Sequence, residues 1–142
     1  MLRLAETKDI PLLAEFEQTF AFPLSEEELG KLMQNDTFRI MVWEDAGEVV
    51  GHCVLFRVMD EAEITSVSVR KELRGQGIGT KLITALLDYL RNDGAKIAYL
   101  DVRESNLAAR TLYTKCGFSE IGRRKRFYQK PVEDAIGMGI EL

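Results

Sequence analysis

Hydrophobic positions at helical spacing organise the first part of the chain. A short strand is predicted over residues 2–5, and the apolar positions between residues 10 and 20 then predict a helix. The segment 21–24 contains a proline and ends this helix. The run Ser25-Glu26-Glu27-Glu28 is typical of a capping box and predicts a second, short helix through about Met33. We therefore expect a helical hairpin near the amino terminus.

The hydrophobic period then changes to one that is typical of strands. Residues 38–43, 49–58 and 63–69 are rich in β-branched and aromatic side chains. Turn-forming residues at 45–47 and 59–61 separate these three segments. Consecutive strands joined by short turns predict an antiparallel meander.

The second half of the chain alternates helices and strands. Apolar residues recur every three or four positions over residues 75–91, and Asn92-Asp93-Gly94 supplies a stop for this helix. The elements predicted after it are a buried strand over 97–102, a helix that ends at Gly117, and closing strands over 118–122 and 135–142.

The predicted order of elements is therefore β α α β β β α β α β β. We expect an α/β protein of the α+β kind, with a mixed, mostly antiparallel central sheet of about seven strands flanked by about four helices. The chain has 142 residues, of which 46% are hydrophobic, so it has the length and the apolar content of one domain with its own core. We expect a single domain over residues 1–142.

A glycine-rich turn is the first candidate for chemistry. The run Arg74-Gly75-Gln76-Gly77-Ile78-Gly79-Thr80 lies between a predicted strand and the most strongly predicted helix. Backbone N–H groups of such a turn, together with the helix amino terminus, form a concave site for phosphate. The run lacks the ending of a P-loop and the glycine spacing of a dinucleotide fingerprint, and a simple tight turn is the alternative interpretation.

The residues around this turn resemble a known family. Arg74-x-x-Gly77-x-Gly79, preceded by the strand Thr65-Ser66-Val67-Ser68-Val69, resembles the acetyl-CoA motif of the GCN5-related N-acetyltransferase (GNAT) superfamily, and the resemblance covers nearly the whole chain. Within it, several stretches resemble the ribosomal-protein N-terminal alanine acetyltransferases of the RimI type. These stretches are residues 21–26, residues 102–106, Leu112-Tyr113 with Gly117-Phe118, and Tyr128 with residues 133–138.

This resemblance implies a binding site for acetyl-CoA as the acetyl donor. The backbone of Val67, Ser68 and Val69 would bind the pantetheine arm, and Asn106 would also bind it, unless it only caps its own helix. The pyrophosphate would lie on the amides of the glycine turn, with the helix polarity favouring its charge. The implied residues of that turn are Arg74, Gly75, Gln76, Gly77, Ile78, Gly79 and Thr80.

The resemblance also implies two catalytic residues. Tyr113 matches the tyrosine that protonates the departing CoA sulfur, with a plain core tyrosine as the alternative. Asp101 stands where the alanine enzymes usually carry a glutamate base, so it would act directly or through a water, unless another carboxylate such as Glu63 is the base. Direct attack of the amine on the thioester needs neither a metal nor a covalent intermediate.

The acceptor is expected to be the N-terminal α-amino group of a protein, possibly ribosomal, held by Phe22, Leu24 and Tyr128. Leu24 stands where the resembling enzymes often have tryptophan, which leaves open a second enzyme class that acetylates a small amine such as a polyamine, an amino acid or an aminoglycoside. A third interpretation is a non-catalytic CoA-responsive or ribosome-associated binding protein. The sequence leaves the oligomeric state open.

Charge and cysteine content limit the other partners and the compartment. The 19 Lys and Arg against 23 Asp and Glu give a net charge of −4, which argues against binding to nucleic acid or to a membrane surface. Two cysteines without a metal-ligand pattern, and no apolar segment typical of a signal or a membrane span, favour the cytoplasm. The basic run 123–126 is interpreted as a solvated strand or loop, and His52 as a strand side chain.

Overall fold

Seven strands form one sheet in the order β1-β2-β3-β4-β5-β7-β6, in a computed structural model that describes residues 1–142. The predicted order of elements and the fold class are confirmed. The strands are β1 (Leu2–Leu4), β2 (Phe38–Asp45), β3 (Glu48–Val58), β4 (Glu61–Val69), β5 (Ile97–Arg103), β6 (Ser119–Tyr128) and β7 (Glu133–Glu141). The helices are α1 (Ile10–Glu17), α2 (Glu26–Met33), α3 (Ile78–Asn92) and α4 (Leu107–Lys115).

The sheet has one parallel pair, and it is short. β4 pairs with β5 only from Glu61–Ile97 to Ile64–Leu100, and every other pairing in the sheet is antiparallel. The pairing of β3 with β4 contains a β-bulge. Val54 pairs with Ser66 and Leu55 with Ile64, so Thr65 is the extra residue in β4. Beyond the bulge β4 and β5 separate, and this opens a cleft in the middle of the sheet.

The two faces of the sheet carry separate hydrophobic clusters. The larger has 18 buried residues, and α3 contributes five of its side chains, among them Leu82, Leu86 and Leu90. The smaller has five buried residues and contains Leu13 of α1 and Leu29 of α2. The helical hairpin therefore covers one face and α3 the other, which leaves the cleft between β4 and β5 accessible.

Some predicted boundaries are wrong. α1 ends at Glu17 rather than near Phe20, because a tight turn follows in which the Thr19 hydroxyl donates to the carbonyl of Phe16. The last two strands are longer than predicted, since the basic run continues β6, and Arg123 of β6 is paired 2.9 Å from Asp134 of β7. The capping box of Ser25 and Glu28 is confirmed.

Candidate active site

The cleft between β4 and β5 contains a cavity with a volume of about 760 Å³. This volume is in the range that holds a drug-sized ligand or cofactor. The lining comes from the glycine turn, from β4 and β5, from α4, from the α1–α2 loop and from the end of β6. Segments from both halves of the chain therefore meet at one site.

The three glycines of the turn are needed for two different reasons. Gly75 and Gly77 have φ of 81° and 83°, in the left-handed region that disfavours other residues, although a Cβ at either position would meet no atom within 4 Å. Gly77 is also the N-cap of α3. A Cβ at Gly79 would approach Leu112 of α4 to 3.1 Å, so this glycine allows α3 and α4 to lie close together.

The glycine turn presents the amino terminus of α3 to the cavity. The first N–H groups of an α-helix have no partner inside the helix, and the helix dipole favours an anion there. Arg74 lies at the same end, where its Nε donates to the carbonyl of Val69 at 3.1 Å. Backbone donors and a guanidinium therefore lie together, as binding of a pyrophosphate requires.

Most of the expected donor-site residues line the cavity. Gln76 and Ile78 do not, and the side chain of Ile78 is buried in the protein, so only its backbone is available to a ligand. Asn106 lines the cavity, and its Oδ1 accepts from the N–H of Ala109, which confirms the capping role. The expected residues that line the cavity are Val67, Ser68, Val69, Arg74, Gly75, Gly77, Gly79, Thr80 and Asn106.

Tyr113 lies on α4 and lines the cavity while only 8% of its surface is exposed. Its ring packs edge-on against Phe118 at 5.7 Å between centroids. Burial raises the pKa of the Tyr113 phenol above its usual value, so the hydroxyl keeps its proton at neutral pH. This is the state that a proton donor needs.

Asp101 lies on β5, opposite Gly137 of β7, and lines the same cavity. Its Oδ2 lies 3.5 Å from Nε of Arg124 on β6. A Cβ at Gly137 would lie 3.5 Å from Asp101 Oδ1, which is an ordinary contact distance. Glu63, the alternative base, also lines the cavity from β4. Two carboxylates are therefore available to an incoming amine.

An aromatic wall, formed by Phe22, Phe127 and Tyr128, also lines the cavity. Phe22 of the α1–α2 loop stacks on Tyr128 with 6.5 Å between centroids and meets Phe127 edge-on at 6.0 Å. Phe22 is 63% exposed, so its ring is available to a ligand. The guanidinium of Arg103 lies 4.5 Å from the Tyr128 ring centre. The wall thus joins the α1–α2 loop to the end of β6, which is far away in the sequence.

Leu24 does not line the cavity, although the sequence predicted that it holds the acceptor. It packs instead against the smaller hydrophobic cluster, and its N–H donates to Oε1 of Glu17 at 3.3 Å. Of the two loop residues that the sequence predicted to hold the acceptor, Phe22 therefore lines the cavity and Leu24 does not.

His52 is a strand side chain, as expected, but it has buried polar partners. Its Nε2 lies 2.6 Å from Oε2 of Glu17, and its Nδ1 lies 2.6 Å from Oγ of Ser68. Glu17 and His52 are 35 positions apart in the chain, and no local pattern of residues indicates that they meet.

The basic run of residues 123–126 is a solvated part of β6 and carries ion pairs. Arg123 contacts Glu104 as well as Asp134. Arg124 faces Asp101, as described above. Acidic neighbours therefore compensate a large part of this charge.

Comparison with known proteins now decides the family. The model of the acetyltransferase (GNAT) family matches residues 8–118. The chain belongs to the GNAT family. This GNAT protein is an acetyl-CoA-dependent N-acetyltransferase, and the cavity beside the glycine turn is the expected place of its donor.

The similar proteins include ribosomal-protein-alanine N-acetyltransferases and spermidine N-acetyltransferases. The ribosomal protein bS18-alanine N-acetyltransferase of Escherichia coli is 32% identical over 140 residues, which is 96% of this GNAT chain and 94% of the relative. A crystal structure of the Escherichia coli ribosomal-protein-alanine enzyme has a TM-score of 0.88 at 31% identity and covers 99% of this chain and 92% of that one. The crystal structure of spermidine N-acetyltransferase from Vibrio cholerae, in complex with CoA and spermine, has a TM-score of 0.86 at 26% identity. The match covers 99% of this chain and 94% of that one.

No three side chains of His, Cys, Asp or Glu lie close enough together to hold a metal ion. None of the four helices combines the length and the apolar character that crossing a membrane requires.

Proposed function

We propose that this protein transfers the acetyl group of acetyl-CoA to the N-terminal α-amino group of a protein, with alanine as the terminal residue. The observation that carries the proposal is the aromatic wall, since Phe22 stacks on Tyr128 in the cavity that Asp101 also lines, and burial together with the nearby Asp101 carboxylate raises the pKa of Tyr128. Such a wall suits an extended peptide that enters with its amine toward the carboxylate. The activity named for the Escherichia coli relatives supports the same acceptor.

The donor is assigned to the glycine-turn side of the cavity. Acetyl-CoA supplies an activated acetyl thioester. The amides between Arg74 and Thr80 bind its pyrophosphate, and the backbone of Val67, Ser68 and Val69 in β4 binds the pantetheine arm. A backbone N–H of β4 polarises the thioester carbonyl and stabilises the negative charge that develops on its oxygen. Asn106, besides capping α4, faces the pantetheine arm with its remaining side-chain atoms.

Asp101 and Tyr113 are assigned to the two proton transfers. Asp101 accepts a proton from the acceptor ammonium group, directly or through a water, so that a neutral amine attacks the carbonyl carbon. As the C–S bond breaks, Tyr113 gives its proton to the thiolate of CoA, and the second proton that leaves the attacking nitrogen restores the Tyr113 phenol. The products are an acetylated amine and free CoA, and no covalent enzyme intermediate is needed.

The proposal extends to the partner and the compartment. A ribosomal protein is the acceptor class that the relatives' names support. A bacterial-type cytoplasm suits that acceptor, and both cysteines, Cys53 and Cys116, are free thiols, as in a reducing compartment. We assign residues 1–142 to one N-acetyltransferase domain, because one sheet contains strands from Leu2 to Glu141.

A polyamine is the second candidate acceptor, because the Vibrio cholerae spermidine enzyme has nearly the same fold. Release of free CoA thiol separates the candidates when acetyl-CoA is supplied with an Ala-Arg amino-terminal peptide, with spermidine or with no acceptor. We expect thiol release with the peptide. Release with spermidine alone would overturn the proposal, and acetyl-CoA binding without release under any condition would identify a non-catalytic protein.

A further inference from the structure

Glu17 and His52 are fully buried polar residues, and the proposed chemistry uses neither of them. Glu17 is the last residue of α1, and His52 lies on β3 at the same level as Ser68 of β4. Nε2 of His52 and Oε2 of Glu17 lie 2.6 Å apart, at hydrogen-bond distance. Phe16 and Phe20 pack on the imidazole, with ring centroids 5.6 Å and 6.0 Å away.

These contacts connect the two sides of the cavity. Glu17 holds the N–H of Leu24 with its second oxygen, two positions after Phe22 of the aromatic wall. This is the only hydrogen bond donated by a backbone N–H of residues 21–24. At the other end, His52 Nδ1 lies 2.6 Å from the hydroxyl of Ser68, between the two valines assigned to the pantetheine arm. The loop that carries Phe22 is therefore tied to the donor strand through two buried side chains.

We propose that Glu17 and His52 are positioning residues, which hold the α1–α2 loop against β4 so that Phe22 stands at the acceptor entrance. This inference rests on the proposed acceptor site. Burial strengthens the connection, since a buried polar group that loses its partner cannot be compensated by water. If His52 no longer holds Glu17, the carboxylate turns toward solvent and releases Leu24, and the loop with Phe22 moves.

Ser68, His52 and Glu17 are the residue types of a Ser-His-acid triad, but a nucleophilic role does not fit this site. The ring of His52 is fully buried and, unlike Ser68, does not line the cavity, so it has no access to a water or an acceptor there. Attack by the amine on a thioester also requires no acyl-serine. The three side chains connect structural elements and do not react.

The contacts of the two ring nitrogens can be removed separately. The amide nitrogen of glutamine takes the place of His52 Nε2 and keeps the contact with Glu17, while that of asparagine takes the place of Nδ1 and keeps the contact with Ser68. His52→Phe removes both and keeps the ring. Each variant is compared with wild type in two measurements, hydrogen–deuterium exchange of residues 18–25 and steady-state kinetics with the Ala-Arg peptide and acetyl-CoA.

We expect faster exchange of residues 18–25 and an acceptor KM raised about 10-fold in His52→Phe and His52→Asn, the size that loss of one buried hydrogen bond predicts. His52→Gln is expected to stay within about 3-fold of wild type, and the KM for acetyl-CoA within about 3-fold in all three variants, because the donor contacts are backbone groups. The inference would be overturned if His52→Gln and His52→Asn changed the acceptor KM equally. It would also be overturned if residues 18–25 exchanged as in wild type in both variants. Hydrogen exchange needs no acceptor, so it stays informative even if the proposed acceptor is wrong.

Discussion

The donor side and the acceptor side of the cavity are built in different ways. The donor side consists mainly of one continuous stretch from β4 through the glycine turn to α3, and its groups act through the backbone. On the acceptor side, Phe22, Asp101 and Tyr128 come from three segments that are distant in the sequence and act through side chains. A site that binds its ligand through backbone groups depends on the conformation of the chain and tolerates changes of side chain. A site that binds through side chains changes its ligand preference when those side chains are substituted. We therefore expect substitutions on the donor side to act through the backbone conformation, and substitutions on the acceptor side to act through the side chain that is lost.

Tyr113 stands where the two sides meet, and its loss is expected to have the largest effect. Tyr113→Phe keeps the ring packing on Phe118 and removes the proton, so kcat should fall about 100-fold or more while both KM values stay near wild type. The measurement is steady-state thiol release. Tyr99→Phe is the matched control, because Tyr99 lies on β5 outside the cavity lining, and wild-type turnover is expected.

The same residue predicts the alkaline behaviour of the enzyme. Because burial raises the pKa of Tyr113, the phenol stays protonated through the range in which a free tyrosine ionises, near pH 10. The proton is therefore present at all lower pH values, and kcat should show no loss between about pH 8 and 10 that depends on Tyr113. A loss of kcat in that range in wild type that is absent from Tyr113→Phe would contradict the assignment.

Substitutions of Asp101 test whether it is the base on the acceptor side. Asp101→Asn should lower kcat about 100-fold by removing the base. Asp101→Glu should stay within about 10-fold, since a longer carboxylate still reaches the amine. Glu63→Gln is the control on β4, in the same cavity. If Glu63→Gln loses more activity than Asp101→Asn, the roles of the two carboxylates are reversed.

A substitution of Gly77 tests whether binding of acetyl-CoA depends on the backbone conformation of the glycine turn. Gly77→Val forces a β-branched residue into φ of 83°, so we expect the KM for acetyl-CoA to rise about 10- to 100-fold through loss of hydrogen bonds to charged oxygens. Gly47→Val is the matched control, because Gly47 has φ of 82° and equal space but lies in the β2–β3 turn. Both substitutions should lower the free energy of unfolding by about 1–2 kcal/mol. A similar rise of KM in both variants would remove the glycine turn from the donor site.

Substitution of Phe22 is expected to have the smallest effect, and only the KM for the acceptor should change. Phe22→Ala removes the stacking on Tyr128 and should raise the acceptor KM about 5-fold, the value of one exposed aromatic contact, without changing the KM for acetyl-CoA. Val58→Ala is a control at an exposed apolar position on β3. A change in the donor KM would show that the two sides are not separate.

The difference between the two sides also explains what could be predicted from the sequence. The glycine turn was found because positive φ and a helix start are local requirements that leave a local pattern. The partner of Phe22 could not be derived from residue patterns, since it depends on how β6 and β7 fold back over the cleft. The prediction for Leu24 was wrong for the same reason, because the sequence of a loop does not show which side chain faces the cavity and which packs on the hydrophobic cluster.

Buried polar contacts are the part of the site that the sequence hides most completely. His52 in a strand of apolar neighbours and Glu17 at the end of a helix are each ordinary residues. Their contact becomes visible only when α1 lies on the sheet. The order of elements, by contrast, follows from hydrophobic period and turn residues, and it was predicted correctly.

The most direct test of the acceptor assignment is mass-spectrometric mapping of the acetylated atom. A peptide that begins with Ala-Arg and contains one internal lysine is incubated with acetyl-CoA and the enzyme, beside the same peptide with its α-amino group blocked and beside spermidine. The account predicts one acetyl group on the α-amino nitrogen of the free peptide and none on the blocked peptide. Acetylation of the lysine side chain in the blocked peptide, or faster acetylation of spermidine than of the free peptide, would contradict it.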